Sequence, residues 1–156
     1  IDKGLFSQNK QDLVQKQLDK FNQYYSSISK RLYGESYAIE YSLVKNKEGK
    51  NTYKFAPFAT DNFSTGKKQG EIACFDMAYI MFADDEKIPC LHFIVNDQKE
   101  LVHDNQLMHI GTLANDHVDI QYVVAILRDK LPTELNKEEN IVLKLSQHCK
   151  LFKIEE

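Results

Sequence analysis

No apolar run in this chain approaches the roughly 18 residues that a bilayer span needs. No secretory leader pattern opens it either. Cysteine is scarce. Cys74, Cys90 and Cys149 stand far apart without C-x-x-C spacing, which excludes a disulfide framework and a zinc ribbon. They read as reduced, mostly buried thiols of a cytoplasmic protein. A basic surplus is lacking as well. Lys and Arg number 20 against 23 Asp and Glu, a net charge of −3, so the chain alone is not built as a strong nucleic-acid binder. There is no internal repeat and no low-complexity stretch. The phosphate loop G-x-x-x-x-G-K-[ST] is missing: Gly66 and Gly70 are too close together, and no Gly-Lys-Ser/Thr occurs. The chain alone is therefore expected to bind ATP poorly.

What remains is a chain of 156 residues with 42% hydrophobic content, enough for one domain with a real core. It starts at Ile1, and its first segment reads as the continuation of something longer. Residues ~5 to 33 are predicted as one helix. Val14, Leu18, Phe21, Tyr25, Ile28 and Leu32 are spaced 4, 3, 4, 3 and 4 apart, a seam of heptad type. Gln, Lys, Asn and Ser occupy the other faces, and Gly34 is a fitting stop. The seam suits an amphipathic helix on a core, or the end of a coiled-coil arm entering a globular head.

Ser36 to Val44 alternates, with Tyr37, Ile39, Tyr41 and Leu43 on one face. A polar, glycine-containing turn follows, then Thr52 to Phe58, and together they predict a β-hairpin. After Gly66 a helix is predicted with Ile72, Phe75, Ala78, Tyr79 and Phe82 as its apolar positions. Residues 90–95 are apolar without alternation, the pattern of a strand buried on both faces. A short helix over Asn105 to Leu113 and a second buried strand within Val118 to Leu127 follow. Ile141 to Leu145 and Lys150 to Ile154 are predicted as a closing hairpin. This order predicts an α/β layer.

Three short motifs carry chemistry. Phe63-Ser64-Thr65-Gly66-Lys67 opens a helix, whose free amides and positive end suit phosphate. Leu91-His92-Phe93-Ile94-Val95-Asn96-Asp97 is an apolar strand ending in a carboxylate, which can hold Mg²⁺ through water at the edge of an α/β sheet. Asp104 follows Asp97 by seven positions (104 − 97). In this order the motifs resemble the C-terminal half of the head of coiled-coil ABC ATPases, the structural-maintenance-of-chromosomes (SMC) type, with bacterial SMC-like ATPases as the nearest group. The resemblance implies an end of coiled-coil arm over 1–33 and a C-terminal ABC ATPase lobe over 34–156. It implies that Ser64, Gly66 and Lys67 form the signature loop, which caps the γ-phosphate of ATP held by an opposing head. Asp97 then corresponds to the Walker B aspartate ordering Mg²⁺, and Asp104 to the D-loop residue at the head–head interface. The implied cofactors are ATP and Mg²⁺. The implied partners are an N-terminal Walker A half of the same protein, a second head, and DNA with accessory proteins reached through the coiled coils, with no membrane.

The sequence also departs from that pattern. Gln98 stands where the family has its catalytic glutamate, and an amide cannot take a proton from water, so hydrolysis is expected to be slow. No histidine follows the 118–127 strand, where the family has its switch residue, and Asn96 is polar where an apolar residue is usual.

Other readings rest on smaller signals. Glu48-Gly49-Lys50 with Glu40 has the letters of a Mg²⁺-dependent nuclease, but in a polar turn. His92, His103, His109, His117 and His148 lack metal-ligand spacing, and Cys90 with His92 would make a nucleophile pair only on a buried strand. A non-catalytic docking module, binding through the helical seam and the tyrosine-rich hairpin, is the remaining alternative.

Overall fold

The computed structural model describes residues 4, 7–59, 65–97, 104–117 and 119–152, and side chains for all of these except 59, 65–69 and 104. Helix α1 (Gln8–Tyr33) carries the predicted seam: Leu18, Phe21, Tyr25, Ile28 and Leu32 are buried, while Val14 is only partly covered. Lys10 and Gln11 amides donate to the Ser7 carbonyl, both at 3.0 Å, at its start. Gly34, in the left-handed conformation at φ 72°, ends it by donating its N–H to the Lys30 carbonyl.

Strands β1 (Tyr37–Lys45) and β2 (Asn51–Ala59) form the predicted antiparallel hairpin, with Tyr37 opposite Ala59 and Lys45 opposite Asn51. The turn is built by Asn46, whose side-chain oxygen accepts the Glu48 and Lys50 amides at 3.0 and 2.9 Å. Glu48 and Lys50 are exposed and pair with each other at 3.1 Å. That local pairing on a solvent turn removes the geometric basis of the nuclease reading.

The hairpin is fastened to α1 along the free edge of β1. Asn22 Nδ2 donates to the Ile39 carbonyl at 2.9 Å, and the Ile39 amide donates back to Asn22 Oδ1 at 2.8 Å. The Tyr37 amide donates to buried Ser29 Oγ at 2.9 Å. Tyr37 and Ile39 occupy the alternate positions of the ladder whose groups turn outward, which is also why Pro57, with no N–H, is tolerated opposite Ile39.

Helix α2 (Thr65–Asp85) packs across α1. Its buried face differs from the predicted one. Ala73, Cys74, Met77, Ala78, Ile80 and Ala83 are buried, whereas Ile72, Phe75 and Tyr79 are exposed and Phe82 is half-buried. The small residues let the backbone approach α1 and the second sheet closely, and the bulky aromatics are left at the rim. Phe75 and Phe82 still reach the Phe21 ring, with centroids 5.2 and 5.8 Å away.

Strand β3 (Phe93–Asn96), helix α3 (Asp104–Asp116) and strand β4 (Gln121–Val124) follow, with β3 and β4 paired in parallel from Phe93–Gln121 to Asn96–Val124. Leu107, Ile110 and Leu113 bury α3, and Arg31 of α1 pairs with Asp116 at its end. β3 departs from the both-faces-buried expectation. Ile94 and Asn96 are buried, but Phe93 and Val95 remain 50% and 68% exposed. Only the α-helical layer covers this small sheet among the described residues.

Of the expected closing hairpin, residues 153 and 154 lie outside the described residues, and the part up to Phe152 forms no ladder. The Ser146 amide donates to the Cys149 carbonyl at 2.9 Å and the Cys149 amide to the Ser146 carbonyl at 3.2 Å, a tight turn whose flanks carry no ladder. Val142 and Phe152 are 84% and 81% exposed, so no apolar face holds those flanks in register. No described helix is long and apolar enough to cross a membrane.

Candidate functional site

The motif residues lie at three element ends: the start of α2, the end of β3 and the start of α3. Helical structure starts at Thr65, so Gly66 and Lys67 occupy the first turn of a 21-residue helix. The first amides of such a helix have no partner within it and carry partial positive charge. Ser64 lies outside the described residues, as does the Lys67 side chain.

What fixes this helix start is an unusually close approach. Gly70 lies under the Tyr33 ring at the end of α1, and a Cβ there would sit 2.3 Å from Tyr33 Cζ and 2.6 Å from its hydroxyl oxygen. Tyr33 in turn stacks on Tyr37, centroids 6.3 Å apart. Burial pushes the Tyr33, Tyr37 and Tyr122 phenols well up, so all three are neutral hydrogen-bonding groups at any physiological pH. The Tyr33 and Tyr122 hydroxyls find no partner among the described residues.

Asp97 follows the last residue of β3 and is exposed. The Ala125 amide donates to the Asn96 carbonyl at 3.0 Å, which anchors the residue before Asp97 to the end of β4. Asn96 itself is buried, and its Nδ2 has no acceptor among the described residues. A polar side chain at this position is thus tucked under the strand end, not directed to solvent. Gln98 lies outside the described residues, and Asp104 is the first residue of α3, its side chain outside the description. Asp97 and Asp104 therefore bracket the connection from strand to helix.

Mg²⁺ held through water needs a carboxylate that projects from a strand's carboxyl end with free oxygens. Asp97 meets that condition: it is exposed at the end of a parallel strand and makes no ion pair among the described residues. The clefts along α1, lined by Lys16, Lys20 and Glu86 or by Leu18, Asn22 and Ile39, include none of the motif residues.

Sequence reasoning missed the Tyr33–Gly70 contact and the buried amide of Asn96. A glycine inside a helical pattern was the one available sign of the first.

Residues 28–156 match a protein family described as "Uncharacterised protein conserved in bacteria (DUF2326)". No curated protein matches. Among solved structures, the chain is similar at 16% identity to an SMC head bound to the C-winged helix domain of ScpA, over 81% of this chain and 40% of that one, with a TM-score of 0.45. It is also similar at 16% identity to the Pyrococcus furiosus Smc head domain with an extended coiled coil, bound to the C-terminal domain of ScpA. There the coverage is 79% of this chain and 32% of that one, with a TM-score of 0.46. The chain thus spans less than half the length of either.

Proposed function

The chain belongs to the bacterial family DUF2326, and within it we propose that this chain is the C-terminal part of an SMC-like ATPase head, completing ATP sites when two heads meet. The observation that carries the reading is the placement of Asp97. It is exposed directly after a parallel strand and is followed by a helix that begins at Asp104. Carboxyl ends of parallel strands are where α/β folds bind ligands. The start of α2 within the motif Phe63-Ser64-Thr65-Gly66-Lys67 supports the same reading, because a glycine in the first helical turn leaves room for phosphate oxygens.

In this reading the Ser64 hydroxyl and the amides around Gly66 contact the γ-phosphate of ATP held by the opposing head, with the Lys67 ammonium adding charge. Asp97 holds a Mg²⁺-bound water, and Mg²⁺ supplies charge neutralisation between phosphates. Gln98 orients water without accepting its proton, so turnover is slow. Asp104 couples the two heads. The Walker A half of the same protein covers the open face of β3. α1 continues into a coiled-coil arm through which head closure acts on DNA in the cytoplasm.

A docking module remains the second reading, favoured by one observation. Tyr41, Tyr53 and Phe55 form a ring cluster on the hairpin, with centroids 5.4 to 6.4 Å apart, and Phe55 stays exposed. Sedimentation of the chain co-produced with its Walker A half, with and without ATP and Mg²⁺, separates the two. ATP-driven dimerisation that Ser64→Arg abolishes supports the head. A folded pair that neither binds ATP nor dimerises leaves the docking module.

A further inference from the structure

Independently of the nucleotide reading, we infer that Asp84, Cys90 and His92 form a three-ligand site for a transition-metal dication of the zinc class, at the opposite end of β3 from Asp97. Their donor atoms all lie within 4.8 Å of one another. A tetrahedral ion with bonds of about 2.0–2.3 Å needs ligand separations of roughly 3.3–3.8 Å, so side-chain torsions alone bring the three onto an ion.

The site is assembled by two rigid elements and a tight reversal. Asp84 sits in the last turn of α2. The helix ends with Lys87 at φ 57°, the Lys87 amide donating to the Asp84 carbonyl at 3.1 Å and the Ile88 amide to the Ala83 carbonyl at 2.7 Å. The chain then turns back into β3. Burial alternates on the way in: Cys90 and His92 are half-buried and Ile94 is buried, while Leu91 and Phe93 are exposed, so Cys90 and His92 share the side of Ile94. Cys90 is half-buried against the rim of the core, and the His92 carbonyl accepts the Gln121 amide of β4 at 2.8 Å. His92 Nε2 already lies 2.8 Å from Asp84 Oδ1. The neighbouring carboxylates are engaged elsewhere, Asp85 and Glu86 both with Lys20.

One sulfur, one imidazole nitrogen and one carboxylate select a Zn²⁺-class ion over Mg²⁺ or Ca²⁺. Binding releases one proton, that of the Cys90 thiol. The resulting thiolate and the Asp84 carboxylate together balance the dication, with neutral His92 as third ligand and water in the fourth position. The negative end of α2 adds to the attraction.

Co²⁺ titration tests this, using the chain with Cys149→Ser so that the exposed thiol beside His148 cannot compete. One equivalent should produce the near-ultraviolet thiolate-to-cobalt band and the visible bands of a tetrahedral site, and Zn²⁺ should erase both. Cys90→Ser should remove the near-ultraviolet band. Asp84 is exposed, so Asp84→Asn should leave the fold intact, as circular dichroism would check. It should weaken binding by about tenfold or more, since loss of even outer-shell partners costs about 10–100-fold. No thiolate band in the parent, the same band in Cys90→Ser, or unchanged affinity in Asp84→Asn would each overturn the inference.

Discussion

At the scale of single residues, the position that most constrains the proposed phosphate-facing helix start is Gly70. Alanine is the better helix former by about 1 kcal/mol, so in open space Gly70→Ala would stabilise α2. The Tyr33 ring forbids this, because a methyl group 2.3 Å from Cζ must displace a rigid aromatic, and overpacking of that kind costs about 1–3 kcal/mol. Gly70→Ala is therefore expected to lose about 1 kcal/mol net in urea unfolding. The loss should shrink when measured in a Tyr33→Leu background, giving a clear coupling between the two sites. Equal losses in both backgrounds would show that the ring does not confine the glycine. This contact was not legible in the sequence, where Tyr33 and Gly70 are simply a helix end and an interior glycine.

At the scale of elements, legibility followed the size of the residues that make each face. α1 could be read from spacing because its seam is made of large apolar residues among polar ones. The hairpin could be read from its alternation. In α2 the helix could be read but its buried face only at Ala78, because that face mixes Ala73, Cys74, Ala78 and Ala83 with Met77 and Ile80 while Ile72, Phe75 and Tyr79 lie outside. The polar fastenings between elements were equally silent. One of these gives a pH prediction. Hydrogen bonds from Lys20 and then Tyr24 hold Asp85 below its ordinary 3.8, and bonds from Lys20 and then Gln17 hold Glu86 below 4.5. Depressed carboxyl values stabilise the fold above those ordinary values and lose that contribution as pH falls through the folded ones. Lys20→Met should therefore lower the plateau near neutrality by the small amount expected of exposed pairs and leave stability below the folded values unchanged, so that the acid limb flattens. High salt should mimic part of the effect, since these groups are exposed. An unchanged acid limb in Lys20→Met, measured by denaturant midpoint against pH, would exclude the clamp between α1 and α2.

At the scale of the whole molecule, the described chain is a helical layer carrying one hairpin and one short parallel sheet, with the sheet covered on a single side. Parallel strands are rarely left that way, because their faces are apolar and normally enclosed by two layers. Ile94 and Asn96 face the helices, while Phe93 and Val95 face outward, on the same strand that ends in Asp97. If the Walker A half covers that outer face, the cover and the nucleotide site share one strand, and damage to one must reach the other. Val95→Lys isolates the point. In the chain alone Val95 is 68% exposed, and a surface change of that kind alters stability by no more than about 0.5 kcal/mol. In the assembled pair it would bury an unpaired ammonium, which costs several kcal/mol unless the two parts separate. The expected outcome is an unchanged thermal midpoint for the chain alone. Capture of the co-produced Walker A half should fall by at least about a hundredfold, the equivalent of about 2.7 kcal/mol. A charge on the other sheet, such as Ser42→Lys at an exposed position of the hairpin, should leave capture intact. If Val95→Lys pairs as well as the parent chain, the outer face of β3 is not where the two halves meet, and the parallel sheet must be completed on another side.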